Sequence, residues 1–312
     1  MQIVGLAAMS HTPSWDMSPD HKGPGERFVA AVMAAKRQMA ALNPTAFVVF
    51  GPDHFRNFFY DVMPAFCIGA EKVEGFGDYS SPKGAFPGNK ALGRFIVDHV
   101  MADGFDPAVS LNMSIDHGMS QPYAALNPKL DMPITPILIN CGGGPMPSPR
   151  RCYEFGQAVG RAIRAAPGEG RVVVVGSGGL SHSPPSVSPD DAEVSADNRD
   201  YVINGRARAQ EFNAMREAQS IERRKVGGVG PINEPFDHWF LDHVKAQDME
   251  PVASLGSDEL LEKGGVGGQE IRAWIAALGA WGGPIDQMTY EPVPTWITGM
   301  GCITGVAPQK AA

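Results

Sequence analysis

Residues 171–176, RVVVVG, place four valines in succession where a half-exposed strand would alternate apolar and polar side chains. Such a run has no face to offer water, so it fits a sheet covered on both sides, as parallel α/β sheets are. The same reading applies to residues 3–9 (IVGLAAM), 46–50 (AFVVF) and 134–141 (ITPILINC), with further strands expected at 65–70, 108–113 and in the tail TWITGMGCITGV. Between them, apolar residues recur at helical spacing over 26–42 and 89–102, and helices are expected near 150–166, 204–222, 235–247 and 268–281. Strand and helix alternate, which predicts an α/β fold with a mixed, largely parallel central sheet flanked by helices. At about 150 residues per domain the 312-residue chain has room for two domains, but no linker interrupts it, so residues 1–312 are read as a single domain.

Four of the eight histidines fall just beyond an expected strand: His11 in AAMSHTP, His54 in VVFGPDHF, His117 in NMSIDHG and His182 in GGLSHSPP. The carboxyl ends of strands in a mainly parallel sheet line one edge, where such folds bind ligands, so the four imidazoles are placed to converge. Taken singly, a histidine after a strand is more often a loop residue bonded to backbone. Four in the same structural position make the stronger signal. Around His182 the backbone is specialised: Gly176, Gly178 and Gly179 permit a sharp turn and close approach, and Pro184 and Pro185 stiffen the chain beyond it. The polar stretch 183–200 is long enough to form a lid or an excursion over the site. His21 lies in a polar Gly/Pro-rich loop, His99 within a helix, and His238 and His243 five residues apart, off one helical face, so these four read as structural or solvent-facing.

Other chemistries leave no trace. VGSGG lacks the first glycine of GxSxG, and there is no GxxxxGK[ST] and no GxGxxG after a strand. The four cysteines form no CxxC pair or zinc-ribbon spacing and read as reduced thiols, mostly small core residues. Clustered histidines without cysteine ligands suit a divalent metal bound by nitrogen and oxygen, and the missing partner is then a carboxylate. Glu270, in GGVGGQEIRAWIAAL, is the best candidate, although an acid there also suits a helix N-terminus for its own sake. A net charge of −8 argues against nucleic-acid or anionic-membrane partners. The N-terminus has no basic region before its apolar run, and no run approaches about 18 apolar residues, so neither signal peptide nor membrane span is expected and the reading is cytoplasmic.

The blocks SHTP, PDHFRNFFYDVMPAFCIG, DHGMSQP and GSGGLSHSPP, with the QEIRAWIAA helix and the terminal PVPTWITGMG, resemble the class III (LigB-like) extradiol ring-cleavage dioxygenases over nearly the whole chain. The first four blocks are specific in combination and the glutamate helix less so; residues 186–230 match poorly and 76–90 only loosely. The resemblance implies an oxidoreductase of aromatic catabolism in which Fe(II) is held by His11, His54 and Glu270, with His182 as base and His117 as acid. It implies a catechol substrate, 3-(2,3-dihydroxyphenyl)propionate or another 3-substituted catechol, together with O2, and a homo-oligomeric assembly. Two histidines and a carboxylate leave positions on iron for both catechol oxygens and O2, while two further histidines divide the proton work. Asp53 and Asp116 are placed to orient neighbours or are simple turn residues. A zinc-dependent hydrolase on the same ligands is the alternative; a non-catalytic metal-binding module would leave His117 and His182 without purpose.

Overall fold

The computed structural model describes the chain except residues 14–17, 19, 185–187, 193, 226–231 and 309–312, and along 219–225 the backbone alone. Pro185 thus lies outside the described residues, and the 183–200 stretch is seen in part.

The chain opens with β1 (Gln2–Met9), α1 (Glu26–Ala41), β2 (Ala46–Gly51), β3 (Phe66–Phe76) and the short β4 (Lys83–Phe86). There follow α2 (Lys90–Ala102), β5 (Ala108–Ile115), α3 (His117–Leu126), β6 (Ile134–Ile139), α4 (Pro149–Ala165) and β7 (Arg171–Ser177). A helical run comes next: α5 (Ala196–Asn204), α6 (Ala209–Lys225), α7 (Glu234–Ala246), α8 (Glu250–Ala253), α9 (Ser257–Gly268) and α10 (Ile271–Trp281). Strands β8 (Gln287–Val293) and β9 (Thr298–Val306) close the chain.

All nine strands join one sheet, ordered β4-β3-β6-β2-β7-β1-β9-β8, with β5 paired to β3. Its centre, β6-β2-β7-β1, is parallel, while β3, β4, β9 and β8 attach antiparallel on the two flanks. The valine run shows why both faces must be covered. Val172 and Val174 pack with Leu6, Val48 and Phe50 beneath α2, α4 and α10, and Val173 and Val175 pack with Met9, Phe47 and Val49 beneath α1 and α3. Each such side chain contributes about 1.5–3 kcal/mol on burial. On the first face α10 lies against α4 so closely that a Cβ at Gly156 would overlap the carbonyl of Ala276. That contact sets the N-terminus of α10, and so Glu270, over the end of β7.

Three departures from the sequence reading have physical causes. Strand β8 carries Glu291 and Pro292 and is half-exposed along most of its length, so it lacks the apolar run that marks the inner strands. The helix expected at 204–222 is α6, which starts only after the tight turn Gly205–Arg208, and the separate α5 precedes it. His117 begins a helix, α3, that the sequence hides behind Gly118 and Pro122. Among the described residues no helix is long and apolar enough to cross a membrane.

Candidate functional site

His54 follows β2 and points back toward the ends of the neighbouring strands. Asp116, fully buried at the end of β5, receives both the His54 backbone N–H at 2.6 Å and ring Nδ1 at 2.9 Å. Its other oxygen accepts Gly118 N–H at 2.8 Å and so caps α3. One carboxylate therefore holds the His54 ring with Nδ1–H toward Asp116 and turns Nε2 to the cluster. Next to it Asp53 accepts the N–H groups of Arg56, Asn57 and Phe58, closing the loop after His54.

His11 follows β1 and is oriented the same way by different means. Ser177, the last residue of β7, gives its hydroxyl proton to Gly118 O, so its oxygen is free to accept His11 Nδ1–H at 3.0 Å. His11 Nε2 is then a bare acceptor, 3.4 Å from His54 Nε2. Glu270 completes the group. Its Oε1 stands 3.1 Å from His54 Nε2 and its Oε2 3.6 Å from His11 Nε2, and Oε2 accepts the backbone N–H of Gly179 at 2.6 Å. A Cβ at Gly178 would come within 2.6 Å of Glu270 O, so the glycines after β7 let the strand end meet the start of α10.

His117 reaches the cluster by a route the parallel-edge argument did not supply, because β5 pairs only with β3. The start of α3 is drawn to the ends of β2 and β7 by Gly118, and the His117 ring stacks on His54 with centroids 4.4 Å apart. Asp78, 39 residues earlier and fully buried, accepts the His117 backbone N–H at 2.8 Å and ring Nδ1 at 2.6 Å. Arg56 lies beside that carboxylate at 3.4 Å and donates to His54 O at 2.9 Å.

His182, beyond β7, donates from Nδ1 to Leu180 O at 2.8 Å, and its Nε2 lies against Gly267. Its ring is held between two glycines, since a Cβ at Gly179 would touch Cε1 at 2.5 Å and one at Gly267 would overlap Nε2. Its loop is tied to α7, where buried Asp237 accepts Ser181 N–H and Oγ–H, each at 2.8 Å. Gly179 thus separates the His182 ring on one side from the Glu270 carboxylate on the other.

Above the cluster, α5 and α6 cover the loop after His54. Tyr201 donates to Phe55 O, Arg216 lies 3.5 Å from His54 O, and Glu217 accepts Tyr79 N–H at 2.6 Å. His11 and Glu270 are nearly closed off, whereas the His54 side chain keeps 28% exposure, so the cluster opens on the His54 side.

The electrostatics call for a cation. Burial, reinforced by the neighbouring histidines, pushes the His11 imidazole down to about 3, so it stays neutral. Burial alone would lower His54 too, yet Asp116 and Glu270 outweigh it and raise His54 well above its usual range. Burial would raise Glu270 and Asp116, but the histidines hold both below the usual carboxylate range. With no ion bound, His54 thus holds a proton on Nε2 toward Glu270, and a cation would take that proton's place among two ring nitrogens and a carboxylate that stand 3.1–3.6 Å apart. Donors about 2.0–2.1 Å from one ion stand roughly 3.0–3.4 Å apart, so the set fits a divalent metal. His11, His54 and His117 also bring one ring nitrogen each within 4.8 Å of the others, a second possible donor set.

His11, His54, His117 and Glu270 therefore come together, with His182 beside Glu270 across Gly179, and Asp116 is an orienting residue rather than a turn acid. The other four histidines stay apart from the cluster: His21 bonds Pro24 O, His99 bonds Phe95 O, His238 packs on Tyr290 and His243 lies beside Asp248. All four cysteines are buried and free. Sequence reasoning missed Asp78, Ser177 and Asp237. Ser177 sits in the quoted GSGG and was within reach, but Asp78 and Asp237 act on partners 39 and 56 residues away and carry no local signal.

The family described as the catalytic LigB subunit of aromatic ring-opening dioxygenase matches residues 5–301. A relative from Cupriavidus pinatubonensis, named 2,3-dihydroxyphenylpropionate/2,3-dihydroxicinnamic acid 1,2-dioxygenase, is 38% identical over 309 residues, 95% of this chain and 96% of its own. A protein of the same name from Photorhabdus laumondii is 33% identical over 311 residues, with 96% of each chain covered. An uncharacterized protein from Escherichia coli K12 shares the fold, with a TM-score of 0.57 at 14% identity over 96% of this chain and 99% of that one. The family match runs from before His11 to beyond Glu270 and so takes in the whole cluster, and on that ground the chain belongs to the LigB family of aromatic ring-opening dioxygenases.

Proposed function

We propose that this protein is an Fe(II)-dependent extradiol dioxygenase that opens 3-(2,3-dihydroxyphenyl)propionate, or a catechol close to it, at the bond beside the diol. Residues 1–312 act as one catalytic domain, assembled as a homo-oligomer in the cytoplasm, and the metal is held by His11 Nε2, His54 Nε2 and the Glu270 carboxylate. The observation that carries the reading is the convergence of two ring nitrogens and one carboxylate at 3.1–3.6 Å, each side chain oriented by a further hydrogen bond. Glu270 is preferred to His117 as third ligand because its oxygens stand 3.1 and 3.6 Å from the two ring nitrogens and bring a negative charge, whereas His117 is bound through Nδ1 to Asp78. The relatives' names supply the substrate.

Iron in such a set supplies open positions at which a catechol and O2 meet and exchange electrons. The protein's own residues supply the protons. His182, with Nδ1–H committed to Leu180 O, presents Nε2 as the base that takes a catechol hydroxyl proton. His117, with Nδ1–H committed to Asp78, carries on Nε2 the proton that it gives to oxygen as the O–O bond breaks. Burial of His11 and Glu270 keeps water from their side of the cluster, and the partly exposed His54 edge leaves the side on which a ring would enter.

The zinc hydrolase reading shares the donor set, but the family match does not favour it. Oxygen uptake with the dihydroxyphenyl acid tests the proposal. One O2 is consumed per ring, both atoms enter the product, and cleavage beside the diol gives a yellow conjugated enolate. A colourless diacid would place the cut between the hydroxyls, and turnover with zinc and no oxygen uptake would replace the reading with the hydrolase.

A further inference from the structure

The turn Asp78–Ser80 follows β3 in a stretch where the family resemblance is only loose, and its geometry is unusual. Tyr79 and Ser80 both have positive φ, 47° and 59°, a costly backbone for two successive non-glycine residues. Three contacts hold it. Glu217 of α6 accepts Tyr79 N–H at 2.6 Å, the Tyr79 ring stands edge-on to His117 with centroids 4.9 Å apart, and Asp78 bonds His117 at both backbone and ring. Arg56 closes the arrangement from the other side, 3.4 Å from Asp78 and bonded to His54 O.

We infer that Asp78 is a positioning residue for the reaction: by binding Nδ1–H it confines every proton that His117 gains or loses to Nε2. This rests on the acid role proposed for His117. With Nδ1–H held by Asp78, the ring keeps one orientation and presents the same nitrogen, Nε2, without a flip. The backbone bond from His117 to the other Asp78 oxygen sets the carboxylate plane, and the strained turn keeps that oxygen pair in register with the ring. Asp78 touches no substrate and acts through His117 alone.

The test is Asp78→Asn. An amide can still accept the His117 backbone N–H, but its NH2 then faces Nδ1, which must become the acceptor and move the neutral proton to Nε2. In the full chain labelled with 15N-histidine and loaded with diamagnetic zinc, the His117 signals should change from the Nδ1–H to the Nε2–H pattern, with His117→Gln giving the assignment. In the iron-loaded enzyme kcat should fall by about 10²–10⁴, as when an acid–base histidine loses its orienting carboxylate, with KM and iron content little changed. The double variant Asp78→Asn/His117→Gln should be no slower than His117→Gln, because residues acting through one group are not additive. An unchanged tautomer, full activity, or losses that multiply in the double variant would each overturn the inference. An active His117→Gln would instead remove the acid role itself, whatever Asp78 does.

Discussion

Asp116 Oδ2 receives two hydrogen bonds from one residue, the backbone N–H and the ring Nδ1 of His54, and both are shorter than 3 Å. The pairing joins the end of β2 to the end of β5, two strands that are not neighbours in the sheet. It sets the His54 ring from two directions at once, so Nε2 can face only His11 and Glu270.

Asp116→Ala should therefore weaken metal binding without emptying the site. Outer partners of ligating histidines typically account for 10–100-fold in affinity, and about that loss is expected in a titration against a competing chelator. Stability should fall by roughly 1–3 kcal/mol in urea unfolding, because buried N–H groups lose their acceptor and α3 loses its cap. Unchanged affinity would show that His54 is oriented by its backbone alone.

Gly267→Ala probes His182 without replacing a titratable residue. The added methyl overlaps His182 Nε2, the atom assigned to take the catechol proton. The variant should keep its iron, since Glu270 meets Gly267 through a backbone bond that alanine retains and the added methyl points at His182, while kcat falls by about 10²-fold or more through the displaced base. Wild-type turnover would mean that the ring has room to move or that His182 is not the base.

Asp237 gives a pH signature away from the metal. Burial raises its carboxyl above 3.8, against the pull of its bonds to Ser181 and Tyr290. The folded state thus retains a proton that the unfolded chain has already lost, and stability from this group, complete below the unfolded value, declines as pH rises through the folded one. The stability of wild type minus that of Asp237→Asn should shrink as pH rises above about 4 and then level off, by no more than about 1.4 kcal/mol per pH unit. A difference that grows with pH would reverse the assignment.

The inner strands were legible because burial on both faces leaves an unbroken apolar run, as in Val172–Val175, and the histidines were legible because three of them follow such strands. The route of His117 was not: β5 is half-exposed and sits on β3, so its place at the edge depends on how β3 leaves the sheet after Phe66–Ile68 have paired with β6. Ligand types can be read from residue identity and spacing. Orienting partners cannot, since Asp78, Asp116 and Asp237 act across 39, 62 and 56 residues, and only Asp116 stands beside a candidate histidine in the chain.

The donor set itself is open to a decisive comparison of Glu270→Gln, His54→Ala and His117→Gln. In the proposed set the first two variants lose a ligand, and iron affinity should fall by more than the roughly 10–100-fold that outer partners account for. Both should stay folded, because the two layers around Val172–Val175 bury their side chains independently of the cluster. In Glu270→Gln the new side-chain amide can still accept Gly179 N–H through its carbonyl, so a loss of iron there reports the missing charge and not a broken turn. His117→Gln should keep its iron and lose turnover. The alternative set, three histidines without Glu270, makes the opposite forecast: His117→Gln empties the site and Glu270→Gln retains the metal. Iron content after desalting, with circular dichroism as the check on folding, separates the two, and the second pattern would move His117 from proton donor to ligand.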